Sequence, residues 1–133
     1  MFTGPERDRQ LIRELIDCYG DSLMRRDEVA WAANWTEDAV WHIRGMKAVG
    51  KQEIVSLFRE AMGGIQSVVF IASPGMIKVD GDRATGRTHT FEHIDLIDGP
   101  SRFQAGTYDE QWAKVNGRWH FASRSIELRE FQQ

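Results

Sequence analysis

The second half of this 133-residue chain is a succession of long extended segments, and their length constrains the fold more than any other feature. From Gln66 onward the sequence is rich in β-branched and aromatic residues and is punctuated by turn signals at Asp80-Gly81-Asp82, Asp98-Gly99-Pro100 and Asn116-Gly117. The last is a hairpin dipeptide, because both positions of a tight primed turn need positive φ. The segments between the turns are Ala84 to Ile97, Arg102 to Val115 and Arg118 to Leu128. Each is about twice the usual ~5–6 residues of a strand. Extended, the longest would span roughly 40 Å at ~3.3 Å per residue. A flat sheet of that width does not fit a globule of this size, so twist and bulges must curl it. Val68-Val69-Phe70-Ile71 begins the first of these strands, which resumes over Met76 to Val79. Ser73-Pro74-Gly75 predicts a bulge or bend between them, since proline cannot donate to a central ladder.

The first half reads differently. Leu11, Ile12, Leu15, Ile16, Tyr19 and Leu23 recur at helical spacing and predict a helix from about Glu6 to Arg26. Thr3 and Glu6 have capping-box spacing before it, with Pro5 at its first turn. Asp27 is placed to cap a second short helix, Glu28 to Trp35. Ala39 to Arg44 alternates as a strand, with Trp41 and Ile43 on one face and Val40, His42 and Arg44 on the other. Ile54, Val55, Phe58 and Met62 stripe a third helix, Lys51 to Met62, ended by Gly63-Gly64. Helices followed by strands are the α+β arrangement, expected here as one domain over residues 1–133. A curled sheet with helices across its concave side encloses an interior, so a pocket is expected.

Charge and cysteine usage narrow the partners. The formal net charge of −3 argues against a nucleic-acid partner, which needs a surplus of Lys and Arg. No apolar run approaches the ~20 residues of a membrane span, and from the polar N-terminus no signal peptide is expected. Cys18 is the single cysteine, so no internal disulfide or cysteine-based zinc site is expected, and a cytoplasmic location is. Its place on a periodic helix predicts a core or boundary residue. Five Trp and seven Phe are many for this length, and aromatics line pockets for flat organic ligands as well as filling cores.

Tyr19-Gly20-Asp21 through Arg26-Asp27, Trp35-Thr36-Glu37-Asp38-Ala39-Val40-Trp41 and Gly50-Lys51-Gln52-Glu53-Ile54 resemble the SnoaL-like branch of the nuclear-transport-factor-2-like fold. Val79 to Gly86, Gly106-Thr107-Tyr108-Asp109-Glu110 and Gly117-Arg118-Trp119 fit the same branch, so the resemblance covers nearly the whole chain. It implies a cone (a cystatin-like roll) of three helices on a strongly curved, mostly antiparallel sheet, commonly a homodimer or higher homo-oligomer. The branch is similar to scytalone dehydratase, hexachlorocyclohexane dehydrochlorinase, polyketide cyclases and steroid isomerases, which need no cofactor. It also resembles the small subunit of ring-hydroxylating dioxygenases, which has no active site of its own.

The dehydratase and dehydrochlorinase members of this branch pair a His on the first long strand with an Asp from the end of helix one. Asp27 lies close to that acid in the dehydrochlorinase pattern; in the scytalone pattern the acid falls near Met24 and the His near Val69, so the familiar dyad is not in its usual place. Four residues remain as catalytic candidates. His93 fits the scytalone enzyme's second His within a residue of register and would serve as a general base, or else face solvent. Tyr19 would polarise a substrate oxygen, or pack as core. Asp27 would act as an acid, or only as a cap. Glu110 would be a desolvated acid–base group, or the cross-strand partner of an Arg. Strand parity sets Glu92 opposite His89 and His93, so a bulge would make Glu92 the candidate instead. Substrate-binding candidates are Trp41, Tyr108, Phe58, Phe70, Leu23 and Phe121. On a strand His89 and His93 stand ~13 Å apart, too far to chelate, and no metal or other cofactor is expected. The expected function is a cofactor-independent lyase, dehydratase or isomerase acting on a cyclic or aromatic small molecule. The alternatives are a non-catalytic ligand-binding protein and a structural subunit.

Overall fold

Three helices pack on one face of a six-stranded sheet in a computed structural model that describes residues 1–132. The helices are α1 (Glu6–Met24), α2 (Glu28–Ala32) and α3 (Lys51–Gly63). The strands are β1 (Trp35–Ile43), β2 (Met46–Val49), β3 (Ile65–Asp80), β4 (Arg83–Leu96), β5 (Arg102–Val115) and β6 (Arg118–Gln132), in the sheet order β2-β1-β6-β5-β4-β3. Every pairing is antiparallel except β1 with β6, so the sheet is curved, unclosed and mixed. The long strands bend where the sequence demanded it. The β3–β4 register shifts between Pro74 and Ile77, so the Ser73-Pro74-Gly75 interruption is a bulge within one strand.

A second irregularity has more consequence for the interior. On β6, Phe121 faces Trp112 of β5, but the next pair is Ser123 with Gln111, leaving Ala122 as an extra residue. A one-residue bulge exchanges the two faces of a strand. Before it Trp119 and Phe121 are buried; after it Arg124 is, while Ser125 is exposed.

Several local expectations change. The capping box does not form: no side chain caps α1, and Thr3 instead bridges to Lys78, its N–H donating to Ile77 O. Helix α2 ends at Ala32, because Trp35 is already the first residue of β1. Strand β2 carries no clear alternation and was not foreseen; a two-residue loop joins it to β1, with positive φ at Arg44 (53°) and Gly45 (75°). Cys18 is exposed, not a core or boundary residue, because it lies off the α1 stripe of Ile12, Leu15, Ile16, Tyr19 and Leu23. The core is aromatic. Trp31 stacks on Phe58 at 3.9 Å between ring centroids, and Trp35 and Phe121 lie 5.6 Å apart beneath Tyr19. No helix among the described residues is long and apolar enough to cross a membrane.

Candidate functional site

Between the helices and the inward face of the sheet lies a cavity of about 120 Å³. Helix α1 contributes Tyr19 and Leu23, α3 contributes Phe58, Ala61 and Met62, and β3 contributes Ile65, Val68 and Phe70. These are apolar apart from the Tyr19 hydroxyl. The polar groups come from the opposite wall: Arg44 from the β1–β2 turn, Glu92 from β4, and Arg102, Gln104 and Tyr108 from β5, with Trp41 beside them. Arg44 and Ala61 are exposed, whereas Tyr19, Trp41, Phe70, Gln104 and Tyr108 are buried, so the cavity opens beside Arg44 and closes toward Tyr108.

Glu92 is the one carboxyl among these lining residues. Burial pushes it above the usual carboxylate range, opposed by Gln104 beside it and by the more distant Arg124, Arg44 and Arg102. Gln104 is itself held by its other end: Arg44 Nη2 donates to Gln104 Oε1 at 2.7 Å, and Arg44 also pairs with Glu130. The Tyr19 hydroxyl is held far toward its neutral form by burial, and the Tyr108 hydroxyl is raised for the same reason. The Trp41 indole lies beside the Tyr108 hydroxyl without reaching hydrogen-bond geometry.

Behind Tyr19 and Tyr108 is a second polar cluster. The Arg124 guanidinium sits 3.6 Å from the Tyr108 ring centroid and 4.4 Å from those of Tyr19 and Phe121. Its Nε donates to Glu110 Oε1 at 2.6 Å, and Thr88 Oγ1 donates to Glu110 Oε2 at 2.9 Å. Burial pushes the Glu110 carboxyl up, while Arg124 and Thr88 pull it back. Arg124 itself remains charged, because Glu110 and the faces of the aromatic rings offset its burial. Both Arg124 Nη atoms are buried with no hydrogen-bond partner among the described residues.

The expected site residues therefore divide. Tyr19, Leu23, Trp41, Phe58, Phe70 and Tyr108 come together around the cavity. His93 does not. Its ring lies tilted against Phe103, 4.7 Å between centroids, and approaches Asp95, on the face opposite Glu92. The β4 register runs without a break from Arg83 to Ile94 against β5, so nothing exchanges its faces, and Glu92 takes the inward position. Asp27 is the α2 cap, accepting from Ala30 N at 3.1 Å, and Arg25 pairs with it at the surface. Glu110 lies beyond the cavity lining, partnered by an arginine. Phe121 is fully buried behind Tyr19 and Trp112. Of the residues not foreseen, Arg102 and Gln104 share the parity of Tyr108 and were readable from it. Arg44 and Arg124 were not, since a left-handed turn residue and a bulge bring them inward. Among the described residues no group of three or more His, Cys, Asp and Glu is placed to hold a metal.

A sequence profile of the SnoaL-like domain matches residues 6–125, nearly the whole of this fold. The chain belongs to the SnoaL-like domain family. Its structure is similar to three solved relatives from bacteria. Hexachlorocyclohexane dehydrochlorinase LinA-type3 from Novosphingobium barchaimii LL02 is 19% identical, with 95% of this chain and 89% of that one covered at a TM-score of 0.84. A protein provisionally named scytalone dehydratase from Novosphingobium aromaticivorans DSM 12444 is 17% identical over 95% and 89%, also at 0.84. A conserved protein from Planctomyces limnophilus DSM 3776 is 18% identical over 96% and 100%, at 0.87. At these identities the likeness is one of fold. Comparison with curated proteins finds no match. This SnoaL-like cone thus presents its own interior, in which α1 and β3 contribute Leu23, Val68 and Phe70 and no His–Asp pair.

Proposed function

We propose that the protein is a cofactor-independent lyase or isomerase that transfers protons on a small cyclic or aromatic substrate, with Glu92 as the acid–base group. The observation that carries this reading is the placement of Glu92, a desolvated carboxyl and the one carboxyl on a cavity lined mostly by apolar and aromatic side chains. A carboxyl raised above its usual range holds its proton more firmly, which brings it closer to the pKa best suited to proton transfer near neutral pH. Tyr19 and Tyr108, kept neutral by burial, are hydroxyl donors for a substrate oxygen that gains negative charge as Glu92 removes a proton from an adjacent carbon. The same carboxyl then returns that proton elsewhere on the ring in an isomerisation, or to a departing hydroxide in a dehydration. The volume suits one ring: an engineered apolar cavity of about 150 Å³ holds benzene.

Screening cyclic hydroxy-ketones and aromatic alcohols for turnover tests the proposal. Glu92→Gln should lower kcat by about 10²–10⁴-fold, the usual worth of a general acid–base group. His93→Ala, on the outer face, should leave it unchanged. A Glu92→Gln variant at full rate would reject the role of Glu92. The absence of a His–Asp pair from the cavity favours one further reading, a ligand carrier; ligand-induced thermal stabilisation with no product would support it. The expected homodimer is supported by the outer face, where exposed Ile71 and Phe91 pair across β3 and β4 beside Val69. Sedimentation equilibrium showing a monomer at micromolar concentration would reject it.

A further inference from the structure

We infer that the molecule this cavity takes is an anion, a single-ring aromatic carboxylate whose carboxylate lies on Arg102. This rests on the reading of the cavity as a substrate site and adds the charge of the substrate to it. The argument begins with how the lining charges are partnered. Arg44 has Glu130 and Gln104. Glu92 has Gln104 beside it. Arg102 makes no ion-pair contact among the described residues: Glu92 and Glu130 lie near enough to feel its charge, but its Nε–H is buried with no hydrogen-bond acceptor among those residues. A buried neutral indole N–H without a partner among the described residues, as in Trp31 and Trp35, is costly; a charged donor without one costs more. The cavity wall therefore holds a cationic side chain with one N–H whose hydrogen-bond requirement the described residues leave unmet.

Position makes that donor useful. Arg102, Gln104 and Tyr108 alternate along the inward face of β5, and Arg102 stands at the end nearest the opening, paired with Ile94. An arginine presents Nε–H and one Nη–H along a single edge, which matches the two oxygens of a carboxylate. A ring attached to that carboxylate extends inward among Trp41, Phe58 and Phe70. Arg124, fully buried behind Tyr19 and Tyr108, is already neutralised by Glu110, so the charge offered to a carboxylate in this interior is that of Arg102. Burial in low dielectric strengthens its effect on an anion held nearby.

The test is calorimetric titration of the wild-type protein with benzoate and with benzyl alcohol, which shares the ring and lacks the charge, at neutral pH and low salt. Benzoate should bind at least about tenfold tighter, as charge-assisted bidentate pairs are stronger than neutral ones. Arg102→Gln should abolish that preference while leaving benzyl alcohol affinity within about twofold, and Arg102→Lys should keep only part of it. Unchanged thermal unfolding in the Arg102→Lys variant serves as the folding control. Equal binding of the two probes, or a benzoate preference that survives in Arg102→Gln, would overturn the inference and leave the aromatic cavity standing. Binding of neither would overturn both. A benzoate preference with no turnover in a screen extended to ring-bearing hydroxy- and keto-carboxylates would uphold the anion site and remove the catalytic reading.

Discussion

At the closed end of the cone Glu110 is locked between Arg124 and Thr88, with both carboxylate oxygens occupied; at the open end Glu92 faces free volume with only Gln104 beside it. Both acids lie on the inward face of the sheet, on neighbouring strands, and burial raises both. What separates them is the partner. A buried carboxylate with a guanidinium and a hydroxyl is a closed structural unit, whereas a desolvated carboxyl without a cationic partner in contact is free to exchange a proton. The arginines show the reverse asymmetry: among the described residues Arg124 is neutralised but incompletely hydrogen-bonded, and Arg102 has no acceptor for its Nε. Burial alone would have ranked Glu110 as the better catalyst; partnering ranks Glu92 first.

The largest effect should come from breaking the closed end. Glu110→Ala leaves Arg124 buried and unpaired, and removing one partner of such a pair costs about 3–5 kcal/mol, measurable by urea unfolding. A variant within 1 kcal/mol of wild type would mean that water reaches Arg124, and the contrast between the two ends would fail. Next is Gly86→Ala. A Cβ at Gly86 would meet the carbonyl oxygen of Met76 at 2.4 Å and the Trp112 ring at 3.0 Å, so the closed end has no room for a methyl group. Overpacking of this kind costs about 1–3 kcal/mol, and thermal unfolding should show it.

The pH dependence sharpens the comparison further. A carboxyl whose pKa is higher folded than unfolded binds its proton more tightly in the folded chain. Its contribution to stability is complete below the unfolded value and is lost as pH rises through the folded value. Wild-type protein should therefore lose stability as pH climbs through the raised Glu92 range, and Glu92→Gln should lose less. Parallel denaturation curves for the two proteins across that range would show that Glu92 is solvated. The smallest effect belongs to Asp27→Ala, which removes an N-cap at about 1 kcal/mol and should leave ligand binding as it was.

Most of the fold could be read from residue order, because strand length and turn dipeptides are local signals with global consequences. The bend at Pro74 and the Asn116-Gly117 hairpin stand where expected. The apolar wall of the cavity was equally legible, since Tyr19, Leu23, Phe58 and Phe70 follow from simple periodicity. The polar wall was only half legible. Alternation places Glu92 opposite His93, but the resemblance to relatives with a pocket histidine favoured His93. Arg124 and Arg44 depend on a single inserted residue and a single left-handed one, and neither Ala122 nor Arg44 announces that role by its chemistry. Polar residues with no periodic neighbours carry no record of which way they turn.

The parallel pairing of β1 with β6 also sets an order of events during synthesis. Trp41 pairs in register with Arg124, so β1 emerges from the ribosome long before the strand that completes it. Until then β1 has only the short β2 hairpin beside it, and Trp35 and Trp41 have no finished interior to enter. Closing this contact across most of the chain is slow, because the entropy of the intervening loop is lost before the pairing compensates for it. The nascent protein carries this tryptophan-bearing strand edge unpaired for more than half of translation, which gives truncated chains a reason to aggregate.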